Sequence, residues 1–448
     1  MLQYKEQIMS IQYLPAGRSA SEIAADVETA IRDGRLRPGE ALPPVRALAA
    51  ELGVSPATVA SAYRDLRLKG IARGHRRAGT RITGSPPTAP RPPLVVPAGA
   101  RNLLSGSPDP LLLPPLPGIW GSAGAAFSPR LYGHPPVSPR LAAVARSHFE
   151  TDGIDAANIA VVSGAVDGVE RILGTSLRAG DGIAVEDPGY PPLLDLLTAM
   201  DLRPEPMSVD ESGVLPEALA AAIIAGCRAA VFVPRAQSPT GAAWDSTRAV
   251  ELGRILATAP DLLVIEDDHA DGVAGAPALS VASGRPRWAS IRSVSKSLGP
   301  DLRLAVMAGD AVTISRVEGR HALGAGWVSY LLQDTVAELW RDPAVAELLG
   351  RAAAVYANRR GHLVGALADR GIPAKGKSGL AVWVPVTDEP GTTSALLDRG
   401  WAVAPGERFR IASPPGIRIG VATLTAAETE QLAADLYDSL RQRPRRTD

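Results

Sequence analysis

The chain has 448 residues, 46% of them hydrophobic and 21% charged. That balance excludes a disordered polypeptide and leaves room for a small domain beside a large one. Net charge is zero, yet residues 1–84 hold 13 Lys and Arg against 8 Asp and Glu, a net of +5 that leaves −5 on the remainder. A basic head on an acidic body is the layout expected when one domain meets nucleic acid. The single cysteine, Cys227, excludes an intrachain disulfide. The N-terminal stretch MLQYKEQIMSIQYLPAG lacks the basic and apolar regions of a secretory signal, so a cytoplasmic, reducing setting is expected. The most apolar run, Ala218 to Cys227, is far shorter than the ~18 residues a membrane span needs.

In chain order, Ser19 and Glu22 form a capping-box pattern ahead of Ile23, Val27 and Ile31, which share one helical face. After the Arg-Pro-Gly break at 37–39, Val45, Leu48, Ala49 and Leu52 predict a second helix, closed by Gly53. Ser55-Pro56 opens a third, with Val59, Ala62 and Leu66 as its buried face and Gly70 as its end. Ile71 to Ile82 reads as two short strands around the basic turn Gly74-His-Arg-Arg-Ala-Gly79. A short helix, a glycine turn and a second helix with polar residues at its start form a helix-turn-helix. Ser55, Thr58, Ser61 and Arg64 face outward at the start of its second helix, where they can reach base edges and phosphates. Arg46 is placed for the DNA backbone, and Arg76 and Arg77 for phosphates or the minor groove. By spacing alone, a three-helix packing module with solvated arginines is the other reading.

The residues go further. Gly34-Arg-Leu-Arg-Pro-Gly-Glu-Ala-Leu-Pro43, Val45-Arg-Ala-Leu-Ala49 and Leu52-Gly-Val-Ser-Pro-Ala-Thr-Val59 resemble the GntR-type winged helix-turn-helix over essentially all of 19–83. The resemblance implies binding to double-stranded DNA, with contacts at Arg46, Ser55, Thr58, Tyr63 and Arg64 and at Gly79 and Thr80 in the wing. Pro56 departs from the basic or polar residue common there and leaves base preference open.

Residues 85–98, SPPTAPRPPLVVPA, carry six prolines and read as a semi-rigid linker. Beyond it, helical segments alternate with short apolar runs such as Ile159–Val162, Ala229–Val233 and Leu262–Ile265. Fully apolar short strands between helices imply an α/β fold with a mostly parallel sheet covered on both faces. The expected domains are 1–84, a linker at 85–104 and a body over 105–448.

Five motifs in the body carry chemistry. Lys296 lies in Ser293-Val-Ser-Lys-Ser-Leu-Gly-Pro-Asp-Leu-Arg303, where hydroxyls and an arginine can converge on one phosphate. Asp267 ends an apolar strand, the position at which open parallel sheets bind ligands; a metal site or a solvated acidic loop are the plainer readings. Ser163-Gly164-Ala165 joins a strand to a helix and can cradle an anion, as can any such turn. Tyr190, in Asp187-Pro-Gly-Tyr, stacks on a ring or packs in the core. Ser238-Pro-Thr-Gly241 is a turn able to reach a phenolic oxygen. Lysine, anionic partner, phosphate cradle and flat residue are the components of a pyridoxal 5'-phosphate site.

In this order the motifs resemble the class I/II aminotransferases of fold type I over roughly 105–440. With the head in front, the chain resembles the MocR subfamily of GntR-type regulators. The resemblance implies Lys296 as the Schiff-base lysine, Asp267 as partner of the pyridine nitrogen, and Ser163, Gly164, Ala165, Ser293, Ser295 and Arg303 as phosphate ligands. It also implies stacking by Tyr190, an effector carboxylate on Arg418, a small amine or amino-acid effector, and a homodimer. His269 stands where the family's tyrosine faces the phenolic oxygen, and its protonation is expected to vary near neutral pH. Val166, Ser238, Ala381 and the stretch Arg351-Ala-Ala-Ala-Val-Tyr356 depart as well. No metal site is expected. A transaminase needs neither head nor linker, so a ligand-responsive regulator with at most residual transaminase chemistry is the expected function. A working aminotransferase with an appended head, and a DNA-binding protein whose body only dimerises, are the alternatives.

Overall fold

The computed structural model describes residues 13–37, 39–68, 71–75, 79–82, 94–116 and 131–441. The chain divides into two compact units, residues 1–93 with 195–201 and residues 94–194 with 202–448.

In the head, helix α1 (Ala20–Arg32) begins where Ser19 Oγ accepts the N–H of Glu22, whose carboxylate accepts the N–H of Arg18. Helix α2 (Val45–Leu52) stops at Gly53, which takes φ 66°, a left-handed conformation that side chains resist. Helix α3 (Pro56–Leu68) leads to the antiparallel hairpin β1 (Ala72–His75) and β2 (Gly79–Ile82). Ile23, Val27, Leu48, Val59, Leu66, Ile71 and Ile82 close one core.

The body begins before the expected boundary. Strand β3 (Arg101–Asn102) pairs with Trp401–Ala402, and Leu103 is buried, so the apolar residues ending the presumed linker pack into the body. The central sheet comprises β4 (Ile159–Val162), β5 (Gly182–Asp187), β6 (Arg203–Asp210), β7 (Gly213–Val214), β8 (Ala229–Phe232), β9 (Leu263–Asp268), β10 (Trp288–Ser293) and β11 (Ala305–Gly309). Their order is β4-β11-β10-β9-β8-β5-β6-β7. The pairs from β10 through β9, β8 and β5 to β6 are parallel; β11 runs against both its neighbours, and β7 against β6. One face packs Ala184, Ala230, Val264 and Val306 against helical Leu141, Phe149, Leu252 and Leu256. On the other, helix α4 (Ala165–Ser176) comes so close that a Cβ on Gly168 would lie 2.9 Å from Met307 Cε.

A smaller sheet joins β12 (Ala381–Pro385), β15 (Gly416–Gly420) and β14 (Ala404–Pro405), while β13 (Trp401–Ala402) is the partner of β3. No described helix is long and apolar enough to cross a membrane, and no described cluster of His, Cys, Asp and Glu could hold a metal ion.

Candidate functional site

Strands β4, β5, β8, β9 and β10 run in one direction, so their C-terminal ends form one rim, the edge where open α/β sheets bind ligands. A cavity of about 380 Å³ opens there. Its walls include Gly164, Ala165, Tyr190, Ser238, Asp267, His269, Ser293, Ser295, Lys296, Arg303 and Arg418. Ser163 is not among the lining residues: its carbonyl accepts from Arg303 at 3.2 Å and its N–H donates to Asp167.

One end of the cavity is built for an anion. Gly164 caps helix α4 at φ 105°, and its missing Cβ leaves the Arg303 guanidinium a place 3.1 Å from where that atom would stand. The hydroxyls of Ser293 and Ser295 lie 3.0 Å apart beside it. Helix N-terminus, hydroxyls and guanidinium together offer the donors that an anion such as a phosphate needs.

The middle holds the reactive groups. Lys296 Nζ donates to the Gly106 carbonyl at 2.7 Å. Burial, then the like charge of Arg418, lower its pKa to about 8, with Asp267 opposing. Asp267 is buried, and its Oδ1 has no hydrogen-bond partner among the described residues. Burial and the adjacent Asp268 charge push its carboxyl up to about 7. Such an acid is waiting for a cationic or hydrogen-bonding partner. Burial and then the Lys296 charge lower His269 to about 4. The expected titration of His269 near neutral pH is therefore corrected: the ring is neutral there.

At the far wall, β15 carries Arg418, paired in register with Trp383 and Ala404. Its Nη1 donates to the Leu104 carbonyl at 3.2 Å, its Nε has no described partner, and burial lowers its pKa to about 10. A desolvated guanidinium whose Nε is unpaired among the described residues is able to bind a carboxylate. Tyr190 lines the cavity and is 39% exposed, so it is not a core residue.

In the head, Arg46, Ser55 and Arg64 are exposed and Thr58 is half-buried. Ser55 Oγ accepts the N–H of Thr58 and so caps α3. Gly79 and Thr80 start strand β2. Arg76 and Arg77 lie outside the described residues. Tyr63 is a correction: it is only 1% exposed and its hydroxyl donates to the Pro43 carbonyl at 2.8 Å, because it shares the apolar face of α3 with Val59 and Leu66. It packs the head and does not reach DNA from that position.

Residues 19–82 match the model of bacterial regulatory proteins of the gntR family, and residues 122–436 match that of aminotransferase class I and II. The vitamin B6 salvage pathway transcriptional repressor PtsJ of Salmonella typhimurium is 40% identical over 433 residues, 95% of this chain and 99% of that one. The chain is a MocR-type member of the gntR family. The regulator TauR of Rhodobacter capsulatus is 28% identical over 86% of this chain and 88% of its own. Among solved structures, the kynurenine aminotransferase of Pyrococcus horikoshii superposes with a TM-score of 0.71 at 20% identity, covering 77% of this chain and 91% of that one. At that identity it shows the fold of the regulator's body and nothing more.

Reading the sequence missed several groups that line this MocR-type cavity. Gly106 offers only a carbonyl, and Gln237, Ser378 and Leu380 come from turns. Gln237 adjoins the Ser238-Pro-Thr-Gly turn, a signal that would have found it. Gly106 and Ser378 had none, because a backbone carbonyl and a long-range turn leave no local pattern.

Proposed function

We propose that this transcription regulator binds pyridoxal 5'-phosphate in the body through Lys296 and senses the cofactor or an amine or amino-acid effector that reaches it. One observation carries the reading. The cavity places a lysine with lowered pKa, a buried carboxyl whose Oδ1 has no partner among the described residues and a buried guanidinium whose Nε has none among them around the mouth of an anion cradle.

The residues fit the group. Gly164, Ala165, Ser293, Ser295 and Arg303 would hold the phosphate, Asp267 the ring nitrogen, and Tyr190 a face of the ring. Ser238 and His269 are the candidates for the phenolic oxygen. When bound, the cofactor supplies an aldehyde that condenses with amines and a ring that withdraws electrons. Lys296 provides the amine: at about 8 its pKa leaves a neutral, nucleophilic fraction near neutral pH that an ordinary lysine lacks. Asp267, opposite a ring cation, would give up its proton and hold that charge. Neutral His269 can donate through a ring N–H without adding a third positive charge beside Lys296 and Arg418. Arg418 would orient an effector carboxylate.

In the head, Arg46, Ser55, Thr58 and Arg64 would contact DNA, with Gly79 and Thr80 in the wing. Dimerisation, supported by the regulator resemblance, would place two heads on a repeated operator.

Absorption titration of the purified full-length protein with pyridoxal phosphate tests the reading. A visible band that needs Lys296, is lost in Lys296→Ala and shifts with a particular amine supports a sensor. Onward conversion to the pyridoxamine form, reversed by a keto acid, would make the protein an enzyme first. No band at all would overturn cofactor binding.

A further inference from the structure

Beneath the cavity, outside its lining, lies a buried cluster of Arg235, Asp268, Arg292 and Asp271, with the half-buried Asp152 at its edge. Arg235 forks onto Asp268 with Nε–Oδ1 at 2.9 Å and Nη2–Oδ2 at 2.6 Å. Arg292 reaches Asp268 Oδ2 at 3.3 Å, Asp152 Oδ2 at 2.5 Å and Asp271 Oδ1 at 3.6 Å. Asp271 accepts from Ser297 Oγ at 3.2 Å, and its N–H donates to Asp268 Oδ1 at 3.2 Å. The side chains of Arg235, Asp268, Arg292 and Asp271 are all at most 10% exposed.

The placement of these groups gives them a purpose beyond packing. Asp268 separates Asp267 from His269, Arg292 immediately precedes Ser293, Ser297 immediately follows Lys296, and Arg235 lies three residues before Ser238. Arg235, Asp268, Arg292 and Asp271 are thus each joined by the backbone to a segment that lines the cavity. Ion pairs taken out of water stabilise a fold weakly or not at all compared with apolar residues of the same volume, so stability is a poor reason for four buried charges. Fixing the mutual register of separate segments is a better one.

We propose that Arg235 and Arg292 are positioning residues, which through Asp268 and Asp271 lock the segments bearing Asp267, Lys296, Ser293 and Ser238 into one arrangement able to hold pyridoxal phosphate. The proposal rests on the cofactor reading above. The charges act in the same direction: burial alone would raise Asp268, but Arg235 and Arg292 hold it down at about 2. A fixed negative charge therefore stands next to Asp267. The cluster as a whole carries two positive and three negative charges.

The test uses full-length protein and pyridoxal phosphate as the probe. The double variant Arg235→Met/Asp268→Leu removes one charge of each sign, keeps the volume and leaves the cluster's net charge unchanged. It is expected to unfold cooperatively at or above the wild-type temperature, yet to bind pyridoxal phosphate roughly tenfold or more weakly. The pH midpoint of its visible band should also move, a change that mere packing would not produce. Wild-type affinity and an unchanged pH profile in the folded double variant would overturn the proposal. Should that variant fail to fold, Arg235→Lys decides, since it keeps the charge and loses the fork: weaker binding supports positioning and unchanged binding overturns it. A wild-type protein with no band overturns the cofactor reading first, and this proposal with it.

Discussion

Lys296 and Arg418 meet at one glycine: Lys296 Nζ donates to the Gly106 carbonyl at 2.7 Å, and a Cβ on Gly106 would lie 3.0 Å from Arg418 Nη2. Two buried cations flank that glycine, and after burial the charge of Arg418 is the next cause of the lowered Lys296 pKa. Arg418→Gln should therefore raise the Lys296 pKa part of the way from about 8 toward its ordinary 10.5, burial remaining. Formation of the visible band near neutral pH should slow, and its pH profile should move upward. An unchanged profile would mean that the two charges do not interact.

The anion cradle makes a separate prediction. Arg303→Met removes one charge-assisted donor, and Gly164→Val both strains φ 105° and intrudes on the guanidinium. Either change should weaken pyridoxal phosphate by roughly 10- to 100-fold, the worth of a charged hydrogen bond. Binding of unphosphorylated pyridoxal should hardly change. Equal loss of both ligands would show that the cradle does not hold a phosphate.

For the head, Arg46→Ala and Arg64→Ala should weaken DNA binding, lower its salt dependence by about one unit of slope each, and leave cofactor binding intact. Tyr63→Phe should behave differently. It removes the hydroxyl bond to Pro43 and should destabilise the head by about 1 kcal/mol without changing salt dependence. Anisotropy titrations at several salt concentrations, beside thermal melts, separate the two outcomes.

Much of this was legible in sequence because it is local. The capping pair Ser19 and Glu22, the glycine stop at Gly53 and the apolar strand that carries Asp267 near its end each depend on neighbours a few residues apart. Lys296 and Arg303 are seven residues apart and both line the cavity. Tyr63 was misassigned although its spacing from Val59 and Leu66 already put it on the buried face of α3. The Arg235–Asp268–Arg292 cluster was invisible for another reason. Its members lie on different strand ends, and each alone looks like an ordinary charged residue. Likewise, β11 reads as one more apolar strand, and only its neighbours reveal that it runs the opposite way.

The pH dependence of the cofactor-free body has a definite sign. Burial, then Asp268, raise the Asp267 carboxyl from 3.8 to about 7. The folded state thus keeps a proton that the unfolded chain has lost over that interval. This contribution to stability is fully present below 3.8 and lost as pH rises through about 7. Burial raises Glu266 to about 7 and Glu186 to about 8, adding to the same slope. Urea midpoints followed by near-ultraviolet circular dichroism should fall from about pH 6.5 to about pH 8, above the range in which the lowered pKa of His269 acts the other way, and Asp267→Asn should flatten part of that fall. A rise over the same interval would contradict the assignment.

The most direct measurement is the affinity of the full-length protein for a DNA duplex that it enriches from a random pool. It would be taken with and without saturating pyridoxal phosphate and with a panel of amines and amino acids, for wild type and Lys296→Ala in parallel. A regulator that senses through this cavity should show a Kd that shifts by roughly 5- to 150-fold with its ligand, and no such shift in Lys296→Ala. One affinity across all ligand states of the wild type would contradict sensing and leave a DNA-binding head on a body that does not signal to it.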